Sequence, residues 1–486
     1  MHPCVGREEK HMPVFETKVQ ELKNDVLREV ATLAWEDKLQ GDLWDIPGRI
    51  VPGPEATMRC CIYKERAVVA SRVKMALGGD RSNPCVVEVM EVACDECPVA
   101  EITVGPACRG CIATRCVHAC PKDAITVVNH KSVVDHSKCI SCGKCVAACP
   151  YGAITKNLRP CEKGCKGSAI SMGPNKKASI DNDKCISCGN CVYQCPFGAI
   201  MDKSYIVDVV QMLRGAERWG YHVYAAVAPS IAGQFAPASF GQMVSGLKAL
   251  GFYGVYEVAL GADMVADLEG EELLEKGELA TSCCPAFVDY VEKNFPEQAG
   301  LISHTPSPMV MIGKHIKAAD PLAKVVFIGP CVAKKKEFRL GKTMGAVDCV
   351  MTYEELNPLF ESKGIDIGKL KAEALDEASA YGRAFAHSGG VTGAVVQSFK
   401  EKGVTKEQFD LKAVPCSGIE ACKLAFLKQG KGVLDGNFIE GMACDGGCVQ
   451  GAGIIIRSPR NQVEVDKHAK EAGGRTIGSA IQDAKK

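Results

Sequence analysis

Five cysteines in the second half of the chain occur in three glycine- and proline-rich segments that each follow an apolar run. They are Cys283 and Cys284 in TSCCPAF, Cys331 in GPCVAKKKEF, and Cys444 and Cys448 in EGMACDGGCVQGAG. Four thiolates suffice for a structural cluster site, and catalytic sites keep an additional or open position. The five thiols could therefore cage one metal cluster and leave one thiol free to react.

Three denser cysteine runs precede these segments. CISCGKCVAACP and CISCGNCVYQCP have the spacing C-x2-C-x2-C-x3-C-P, and CRGCIATRCVHACP is a variant with C-x2-C-x4-C-x3-C-P. In bacterial ferredoxins three close cysteines of such a run ligate one 4Fe-4S cubane, and the fourth ligates the neighbouring cluster. Zinc is the simpler explanation of a single C-x2-C, but not of three such runs. The predicted ligands are Cys108, Cys111, Cys116, Cys120, Cys139, Cys142, Cys145, Cys149, Cys185, Cys188, Cys191 and Cys195.

Four further cysteines lie near these runs at irregular spacing: Cys94 and Cys97 in CDEC, and Cys161 and Cys165 in CEKGC. With them the thiols suffice for four cubanes, although spare thiols or a zinc knuckle fit the spacing equally well. Either run 108–120 pairs with run 139–149, which leaves the third run to the irregular cysteines, or runs 139–149 and 185–195 pair. We interpret the clusters as a path for single electrons; the alternative is that they only stabilise a loop-rich domain.

The chain has 486 residues, 28 cysteines and a formal net charge of zero. This charge does not indicate a nucleic-acid partner or an anionic membrane surface. No apolar run is long enough to span a bilayer, and the N-terminus lacks the pattern of a signal peptide. We therefore expect a cytoplasmic location, where the cysteines stay reduced and ligate metal.

Composition divides the chain into four regions. We expect a mixed helical segment (1–85), an α+β ferredoxin-like domain with several clusters (86–204), an α/β catalytic domain (205–460) and a tail that is a small helix or a loose segment (461–486). In the third region short apolar runs alternate with helical segments, which predicts parallel sheets covered on both faces. Ligands of such sheets lie beyond the carboxyl ends of the strands, where the cysteine segments fall.

The N-terminal region shows no chemistry of its own. VFETKVQELKNDVLREVATLAWED predicts one amphipathic helix, and TMRCCIYKERAVVASRVKMAL predicts a strand followed by a helix. The remaining cysteines match no ligand spacing. We expect Cys4, Cys60, Cys61 and Cys85 to be free thiols, and Cys349, Cys416 and Cys422 to be buried free thiols.

TSCCP, PC-x2-K-x2-E and M-A-C-x-G-G-C resemble, in order and spacing, the three signature segments of the iron-iron hydrogenases. The resemblance covers about residues 205–460. It implies two parallel-sheet lobes around an H-cluster, in which a 4Fe-4S cubane shares a cysteine with a diiron unit that carries CO, cyanide and a bridging dithiolate amine. It also implies reversible formation of H2 from protons, with ferredoxin or a similar one-electron carrier as partner and with maturases that install the diiron unit.

The same resemblance assigns roles to individual residues. Cys284, Cys331, Cys444 and Cys448 correspond to the cubane ligands, with Cys448 as the bridge to the diiron unit, and Cys283 corresponds to the proton-donating thiol. From spacing alone, we expect Cys444 and Cys448 to share one face of a helical turn.

Further side chains are assigned around the cluster. Lys334 resembles the lysine that holds an anionic cyanide, and Glu337 either pairs with Lys334 or closes the motif; Lys335 and Lys336 are expected to be solvated. The cavity residues implied by the resemblance are Ala228, Pro229, Ser230, Ser307 and Met442.

A proton must cross the protein to reach Cys283, and GADMVADLEGEELLEKG aligns with the acidic stretch of the family. Glu269 and Glu272 correspond to its two relay glutamates, and Ser303 to its relay serine. Because the glutamates are three residues apart, they share a helix face. A solvated acidic face is the alternative explanation.

Three positions depart from better-known members. Gly329 stands where they have methionine, Met309 where they have glutamine, and Phe287 where they have tryptophan, which suggests a divergent subgroup.

Three functions compete. The first is a hydrogenase. The second is a hydrogen or redox sensor, which would usually carry an added signalling domain. The third is a non-catalytic iron–sulfur assembly scaffold, which would be expected to lack the set Cys283, Lys334 and Cys448. No glycine fingerprint for NAD or flavin is visible, so ferredoxin is the simplest electron partner.

Overall fold

The computed structural model describes residues 15–97 and 102–485; Cys4 lies outside them. An amphipathic helix opens this part of the chain, as its sequence predicts, and Thr17 caps it by accepting from the backbone N–H of Gln20. The helices of the N-terminal segment are α1 (Lys18–Glu36), α2 (Leu39–Asp42), α3 (Ile46–Ile50) and α4 (Ile62–Ala76).

The strand predicted before α4 is wrong, because residues 51–61 form bends and turns. The backbone N–H groups of Thr57, Met58 and Arg59 all donate to the carboxylate of Glu65, in the first turn of α4. Because this carboxylate already accepts their hydrogen bonds, these N–H groups are not available to pair with another strand.

Two small lobes with short antiparallel strands follow. Their elements are β1 (Val87–Val89), β2 (Ile102–Val104), α5 (Arg115–His118), β3 (Ile125–Val128), β4 (Lys131–Val134), α6 (Lys144–Ala148), β5 (Ile154–Lys156), α7 (Pro160–Lys163), β6 (Ile170–Met172), β7 (Ala178–Ile180), α8 (Asn190–Gln194) and β8 (Ile200–Asp202). The outer lobe (residues 102–158) pairs β2 with β5 and β3 with β4, and packs α5 on α6. The inner lobe (residues 85–97 and 159–202) pairs β1 with β8 and β6 with β7, and packs α7 on α8.

The two lobes share one arrangement, and this arrangement bears on which cysteine runs pair. Helix α5 lies in run 108–120 and α6 in run 139–149, whereas α7 starts at the irregular cysteines and α8 lies in run 185–195. Since α5 packs on α6 and α7 on α8, the geometry favours the first alternative, with the third run beside the irregular cysteines.

The rest of the chain is a larger α/β unit. Its elements are α9 (Ile206–Trp219), β9 (Val223–Val227), α10 (Phe240–Leu250), β10 (Gly254–Glu257), α11 (Val258–Lys276), β11 (Leu279–Ala280), α12 (Pro285–Asn294), α13 (Pro308–Ala319), β12 (Lys324–Gly329), α14 (Lys334–Glu337), β13 (Cys349–Thr352), α15 (Tyr353–Ser362), α16 (Ala380–Ala384), α17 (Gly390–Glu401), β14 (Ala413–Ser417), α18 (Ile419–Gln429), β15 (Phe438–Met442), α19 (Arg460–Lys470) and α20 (Ile477–Ala484).

Two parallel sheets form the centre of this unit, as predicted. One has the order β10-β9-β12-β13 and the other β11-β15-β14. Strands β13 and β15 are buried along their whole length, which agrees with sheets covered on both faces. The segments with Cys283, Cys331 and Cys444 begin at the carboxyl ends of β11, β12 and β15 respectively. The fold therefore brings the three signature segments to strand ends, where parallel sheets place their ligands.

The C-terminal residues are neither loose nor a single helix, because they form α19 and α20. Helix α19 packs on α16, and α20 packs on α11 and α17. Ile477 and Ala480 of α20 are buried against these helices. Within the described residues, no helix is long and apolar enough to cross a bilayer.

A buried ion-pair network connects the three parts of the chain. Asp202, the last residue of β8, pairs with Lys23 of α1 at 2.6 Å and with Lys335 of α14 at 2.7 Å, and Lys335 also pairs with Glu355 of α15 at 2.7 Å. Burial opposes the charge of Asp202, but the two lysines hold its pKa well below its usual range. The prediction that Lys335 is solvated is wrong, since its side chain is 0% exposed. Lys336 is partly exposed and pairs with Asp289.

We expect Asp202→Asn to lower the free energy of unfolding by about 3–5 kcal/mol, because it leaves two buried ammonium groups without their shared carboxylate. Asp181→Asn is the matched control in the same lobe, since Asp181 pairs with Lys184 at the surface, and it should cost less than about 1 kcal/mol. Anaerobic urea unfolding measures both. Equal losses in the two variants would show that the network does not stabilise the fold.

Candidate metal centre

The three signature segments meet at one cavity between the two sheets, with an empty volume of about 630 Å³. Cys283, Cys284, Cys331 and Cys448 all lie in its wall. The remaining wall is almost entirely apolar, and it is formed by Ala228, Pro229, Ser230, Val258, Ala262, Pro285, Pro308, Met309, Phe327, Pro330, Lys334, Phe385, Ala386 and Met442. Such a cavity excludes water from whatever the thiols hold.

Cys444 lies beside this cavity, on the side of the inner lobe. Burial raises the pKa of Cys331 and Cys444 to about 12, and the charge of the neighbouring Cys284 adds to the effect. Burial likewise raises the pKa of Cys448, and its neighbours Cys331, Cys284 and Cys444 contribute. Thiolates this close and this buried require positive charge between them. The donor set fits a 4Fe-4S cubane, since thiolates are the ligands that iron–sulfur clusters take.

The turn between Cys444 and Cys448 is not helical, so that prediction is wrong. Cys444 follows β15, Cys448 begins a short 3-10 helix, and Gly446 and Gly447 between them have φ values of 86° and 94°. Side chains disfavour this left-handed region, and a Cβ on Gly447 would fall 2.7 Å from the backbone nitrogen of Ser388. The glycine pair, rather than a helical turn, sets the separation of the two thiols.

Lys334 places a buried ammonium group in the cavity wall. Its Nζ donates to the carbonyl oxygen of Cys283 at 3.2 Å and pairs with Glu337 at 2.6 Å. Burial would lower its pKa, but the Glu337 carboxylate raises the pKa of Lys334 and keeps it charged. A charged donor in an apolar wall suits an anionic ligand, so the cavity also fits a diiron unit with anionic ligands.

Most cavity residues expected from the sequence lie where they were predicted. Ala228, Pro229, Ser230 and Met442 line the cavity. Ser307 does not; it precedes α13, lines a neighbouring cavity with many polar side chains, and is buried with no hydrogen-bond partner for its Oγ among the described residues. Sequence reasoning missed Tyr353, whose hydroxyl bonds Ser230 Oγ at 2.7 Å and the Ala228 carbonyl at 3.1 Å.

Two of the three departures from better-known members have a structural explanation, and for Met309 the structure shows only its place in the wall. A Cβ at Gly329 would lie 2.5 Å from the ring of Phe327, so the phenylalanine occupies the space beside this glycine and lines the cavity itself. Phe287 is fully buried, and its ring lies against Gly441, where a Cβ would fall 2.3 Å from it. Met309 lines the cavity.

Glu269 of α11 reaches the segment that carries Cys283. It is fully buried, and its Oε1 accepts from the backbone N–H of Ser282 at 2.9 Å and from Ser282 Oγ at 3.1 Å. Burial raises the pKa of Glu269 to about 7, and its Oε2 has no hydrogen-bond partner among the described residues. Burial raises the pKa of Cys283, and the nearby charge of Glu269 adds to this. Glu269 is therefore placed to exchange a proton near neutral pH.

Glu272 lies on the same helix, closer to the surface. It accepts from Ser303 Oγ, and it pairs with Lys276 Nζ at 2.7 Å and His304 Nδ1 at 2.8 Å. Burial opposes its ionisation, but the bonds from Lys276, Ser303 and His304 lower the pKa of Glu272 to about 2. Glu272 is thus a carboxylate at neutral pH, and it would be protonated only transiently.

The two halves of the predicted relay meet at Thr305. Its N–H donates to Ser303 Oγ at 3.1 Å, and its carbonyl lies 2.5 Å from Ser282 Oγ, whose one hydroxyl proton is given either to this carbonyl or to Glu269 Oε1 at 3.1 Å. A cavity with an empty volume of about 1140 Å³ is lined in part by Ser282, Ser303, His304, Thr305, Ser307 and Glu337. Sequence reasoning missed Ser282, His304 and Thr305. Lys276 could have been found, because a lysine four residues after a glutamate pairs with it on a helix.

In the outer lobe, one small cavity is lined by three cysteines of the first run, Cys108, Cys111 and Cys116, together with Cys149 of the second. This grouping matches the exchange of fourth ligands known from two-cluster ferredoxins. Cys120 then remains with Cys139, Cys142 and Cys145.

The thiols of the inner lobe form similar groups. Burial raises the pKa of Cys161 to about 11 and also raises that of Cys97, and in both the charge of Cys195 is the next contribution, with Cys94 also nearby. Burial raises the pKa of Cys191, and Cys188, Cys185 and Cys165 contribute. Two groups of four thiols result, namely Cys94, Cys97, Cys161 and Cys195, and Cys165, Cys185, Cys188 and Cys191.

Cys85, which we expected to be a free thiol, lies beside the second of these groups. Its Sγ is 3.7 Å from Cys185 Sγ and is buried, because the pairing of β1 with β8 brings residue 85 into the inner lobe. Cys349, Cys416 and Cys422 are buried free thiols, as expected. No three His, Cys, Asp or Glu side chains in the described ranges are arranged to hold a single metal ion.

The inner lobe packs directly on the segment that carries Cys444. Lys166 donates to the carbonyl of Ala443 at 2.7 Å and pairs with Asp445 at 2.8 Å. Cys188 of the inner lobe and Cys444 line the same cavity. The second inner group of thiols is therefore the neighbour of the central site.

A buried arginine fits an anionic cluster in the first inner group. Arg72 of α4 donates to the carbonyl of Gly198 at 2.8 Å; among the described residues its Nε has no partner and no carboxylate lies within salt-bridge distance. Burial lowers the pKa of Arg72 to about 10, whereas the charge of Cys195 raises it. A buried cation of this kind requires a nearby anion.

We expect Arg72→Met to lower the midpoint potential of the cluster that Cys195 ligates, because a positive charge stabilises the reduced, more negative cluster. Arg66→Met on the same helix is the control, since in the part of the chain that the structure describes Arg66 donates to the carbonyls of Val51 and Pro52. A redox titration followed by EPR measures both. Identical potentials in the two variants would exclude this role for Arg72.

Comparisons with known proteins agree with this geometry. Residues 221–452 match the family described as iron only hydrogenase large subunit, C-terminal domain, and residues 132–155 and 178–201 match 4Fe-4S binding domains. The chain is 31% identical over 402 residues to iron hydrogenase 1 of Clostridium pasteurianum, covering 71% of this chain and 69% of that protein. It is 29% identical to the NADP-reducing hydrogenase subunit HndD of Solidesulfovibrio fructosivorans, covering 69% and 60% of the two chains.

Two further similarities are shorter or weaker. The cytosolic Fe-S cluster assembly factor NAR1 of Kluyveromyces lactis is 35% identical over 98 residues, which are 20% of this chain and 21% of that protein. The structure of apo FeFe-hydrogenase HydA1 from Chlamydomonas reinhardtii superposes with a TM-score of 0.47 at 22% identity, covering 57% of this chain and 93% of that one.

Proposed function

The chain belongs to the iron-only hydrogenase family, and on this premise we propose that it is an FeFe hydrogenase that interconverts protons and H2. One observation carries the proposal. Cys283, a thiol beyond the four that a cubane needs, lies in the wall of the apolar cavity beside Lys334 and near the buried Glu269. A non-catalytic site would have no use for a proton-carrying thiol there.

In this proposal Cys284, Cys331, Cys444 and Cys448 hold the cubane, with Cys448 adjoining the diiron unit. When bound, the H-cluster supplies the redox chemistry that joins protons and electrons. The Cys283 thiol holds the proton at the cavity wall, and Glu269 returns a proton to it near neutral pH. The Lys334 ammonium, kept charged by Glu337, binds an anionic ligand of the cluster. The apolar walls exclude water.

Protons would enter from the surface by way of Glu272 and Ser303, pass the polar cavity at Thr305 and Ser282, and reach Glu269. Electrons would enter the outer lobe, cross the inner lobe and arrive at Cys444, which shares a cavity with Cys188. Ferredoxin or a similar one-electron carrier is the proposed donor, and maturases would install the diiron unit. We also propose a cytoplasmic location, where 28 cysteines would remain reduced.

The similarity to the assembly factor NAR1 supports a second candidate, a non-catalytic iron–sulfur scaffold. Such a protein would keep the cubane without the diiron unit. The presence of Cys283 and Lys334 in the cavity wall favours the enzyme, because neither side chain is needed to hold a cubane alone.

Hydrogen evolution tests the proposal. The protein is reconstituted anaerobically with iron and sulfide, supplied with the diiron unit, and assayed by gas chromatography with reduced methyl viologen. We expect H2 only from protein that has received the unit. No H2 despite bound diiron would favour a sensor, and no uptake of the unit would favour the scaffold.

A further inference from the structure

Two adjacent cysteines directly before α4, Cys60 and Cys61, belong to none of the thiol groups described above. Both are exposed, and their Sγ atoms lie 4.0 Å apart. Among the described cysteines the only other exposed one is Cys142, which is a predicted cluster ligand. A small oxidant in solution therefore meets this pair before any other thiol that is free to react.

The chain is held on both sides of the pair. On the N-terminal side, the backbone N–H groups of residues 57–59 donate to the carboxylate of Glu65. On the C-terminal side, α4 begins at Ile62, directly after Cys61. The dipeptide is thus a short connection between two fixed ends, and a change in its backbone must be accommodated by its immediate neighbours.

Arg59, the residue before the pair, binds the segment of residues 93–96. Its Nη2 donates to the carbonyl oxygen of Ala93 at 3.1 Å, and its Nη1 lies 3.6 Å from a carboxylate oxygen of Asp95 and 3.5 Å from one of Glu96. The Arg59 side chain is 8% exposed. Because solvent screens contacts of a nearly buried guanidinium only weakly, Arg59 connects the pair firmly to this segment.

Lys64, in the first turn of α4, binds the same segment from the other side of the pair. Its Nζ lies 2.5 Å from a carboxylate oxygen of Asp95. Residues 93–96 contain Cys94 and end directly before Cys97, and both cysteines belong to the first inner group of thiols. The exposed pair therefore lies in the chain between the two cations that hold this part of the group.

A disulfide between neighbouring residues is strained. The Cα atoms of adjacent residues are about 3.8 Å apart, whereas those of ordinary disulfides are about 4.4–6.8 Å apart. The two Sγ atoms would also have to move from 4.0 Å to about 2.05 Å. Strained and exposed disulfides are easily reduced, and they are the labile or regulatory ones. The pair is therefore suited to reversible oxidation rather than to permanent cross-linking of the fold.

We propose that Cys60 and Cys61 form a redox site that a small disulfide of the glutathione type oxidises, and that this oxidation loosens the segment around Cys94 and Cys97. One thiolate attacks a sulfur of the small disulfide, which forms a mixed disulfide and releases one thiol. The second thiolate then attacks the mixed disulfide, forms the Cys60–Cys61 bond and expels the second thiol. The two cysteines lose two electrons and two protons, and the small disulfide takes up the same electrons and protons.

The effect reaches the cluster site through the two flanking cations. Formation of the disulfide turns the backbone of the dipeptide, and because the chain is held before and after it, Arg59 and Lys64 shift. Arg59 then loses its hydrogen bond to the carbonyl of Ala93. The segment opens, and a chelator reaches the cluster that Cys94 and Cys97 would ligate more easily than in the reduced protein.

The first test is mapping of the thiols by mass spectrometry. Cluster-loaded protein is incubated anaerobically with excess glutathione disulfide at mildly alkaline pH, alkylated and digested. We expect the peptide with Cys60 and Cys61 to lose two hydrogen atoms, to carry no glutathione and to be restored by dithiothreitol. Cys61→Ser should stop at a glutathione adduct on Cys60, and the buried Cys416 and Cys422 should stay reduced. A stable adduct or an unreacted pair in the wild type would overturn the proposal.

The second test is the loss of iron to a chelator, which reports on the segment rather than on the thiols. After oxidation, the wild type should release the iron of one cubane about tenfold faster than before, as expected for the loss of a hydrogen bond from a charged group. The double variant C60S/C61S, treated with the same disulfide, should release iron at the rate of the reduced protein. Equal rates in the wild type and the double variant would overturn the proposal.

Arg59→Met removes the same contacts without an oxidant. With its clusters first verified by iron analysis, this variant should release iron in the reduced state about as fast as the oxidised wild type. Arg66→Met, in α4, is the matched control and should release iron at the wild-type rate. Equally slow release from both variants would show that Arg59 does not hold the segment, which contradicts the proposal. Neither test measures H2, so the redox site and the hydrogenase activity succeed or fail separately.

Discussion

Cys283→Ala should lower kcat for hydrogen evolution by about 10³-fold, because it removes the thiol that carries the proton at the cavity wall. The other four thiols remain, so the iron content and the EPR signals of the cubanes should be unchanged. Cys283 is not needed to complete any group of four, and its side chain lines the cavity itself. The assay is H2 formation with reduced methyl viologen, beside iron analysis of the same sample.

Cys416→Ala is the matched control for this variant. Cys416 is also a buried thiol in the core that contains Cys283, but it does not line the cavity. It should retain activity within about threefold. Activity of the wild-type level in Cys283→Ala would remove this residue as the proton donor, and loss of iron would show that it is a ligand instead.

Glu269→Gln should lower kcat by about 10²- to 10³-fold while the clusters remain intact. A glutamine keeps the oxygen that accepts from Ser282, but it cannot take up or release a proton. Burial raises the pKa of Glu269 to about 7, so a titration near pH 7 in the wild-type rate profile should be absent from the variant. Steady-state rates from pH 5.5 to 9 measure this difference.

Stability gives a readout of Glu269 that does not depend on activity. In the unfolded chain the carboxyl group loses its proton near the ordinary pKa of 4.5, but in the folded protein near 7. Between pH 4.5 and pH 7 the folded state thus binds more protons than the unfolded state. The free energy of unfolding therefore decreases as the pH rises through this range, by up to about 3 kcal/mol. This decrease should be absent in Glu269→Gln.

Glu271→Gln is the control for both experiments. Glu271 lies on the same helix, is exposed and pairs with Lys402 at the surface. It should leave kcat and the pH profile unchanged. If Glu269→Gln and Glu271→Gln behave alike, Glu269 is a structural carboxyl group and protons reach Cys283 by another way.

The ligand set could be predicted because cysteine spacing is a local property. Each signature segment follows an apolar run, and the carboxyl ends of parallel strands meet, so Cys284, Cys331 and Cys444 could be placed together before the fold was known. Wall residues of the same segments, such as Met442 and Lys334, were assigned together with these cysteines. The helix that carries Glu269 and Glu272 was assigned through the resemblance of its acidic stretch to that of the family, and not from periodicity.

Features that depend on distant parts of the chain could not be predicted in this way. Cys85 reaches Cys185 only because β1 pairs with β8, and Lys335 is buried only because Asp202 and Glu355 come from other elements. Which cysteine runs pair depends on the packing of α5 on α6 and of α7 on α8. The turn between Cys444 and Cys448 was mistaken for a helix because spacing alone ignores the two glycines.

Hydrogen isotope exchange is the most direct test of the central claim, because it requires the catalytic centre and the proton path but no electron partner. Protein loaded with the diiron unit is placed under D2 in H2O buffer, and HD is followed by mass spectrometry. The account predicts HD from the wild type and from Cys416→Ala, and almost none from Cys283→Ala. Absence of HD from wild-type protein that demonstrably holds the diiron unit would contradict it.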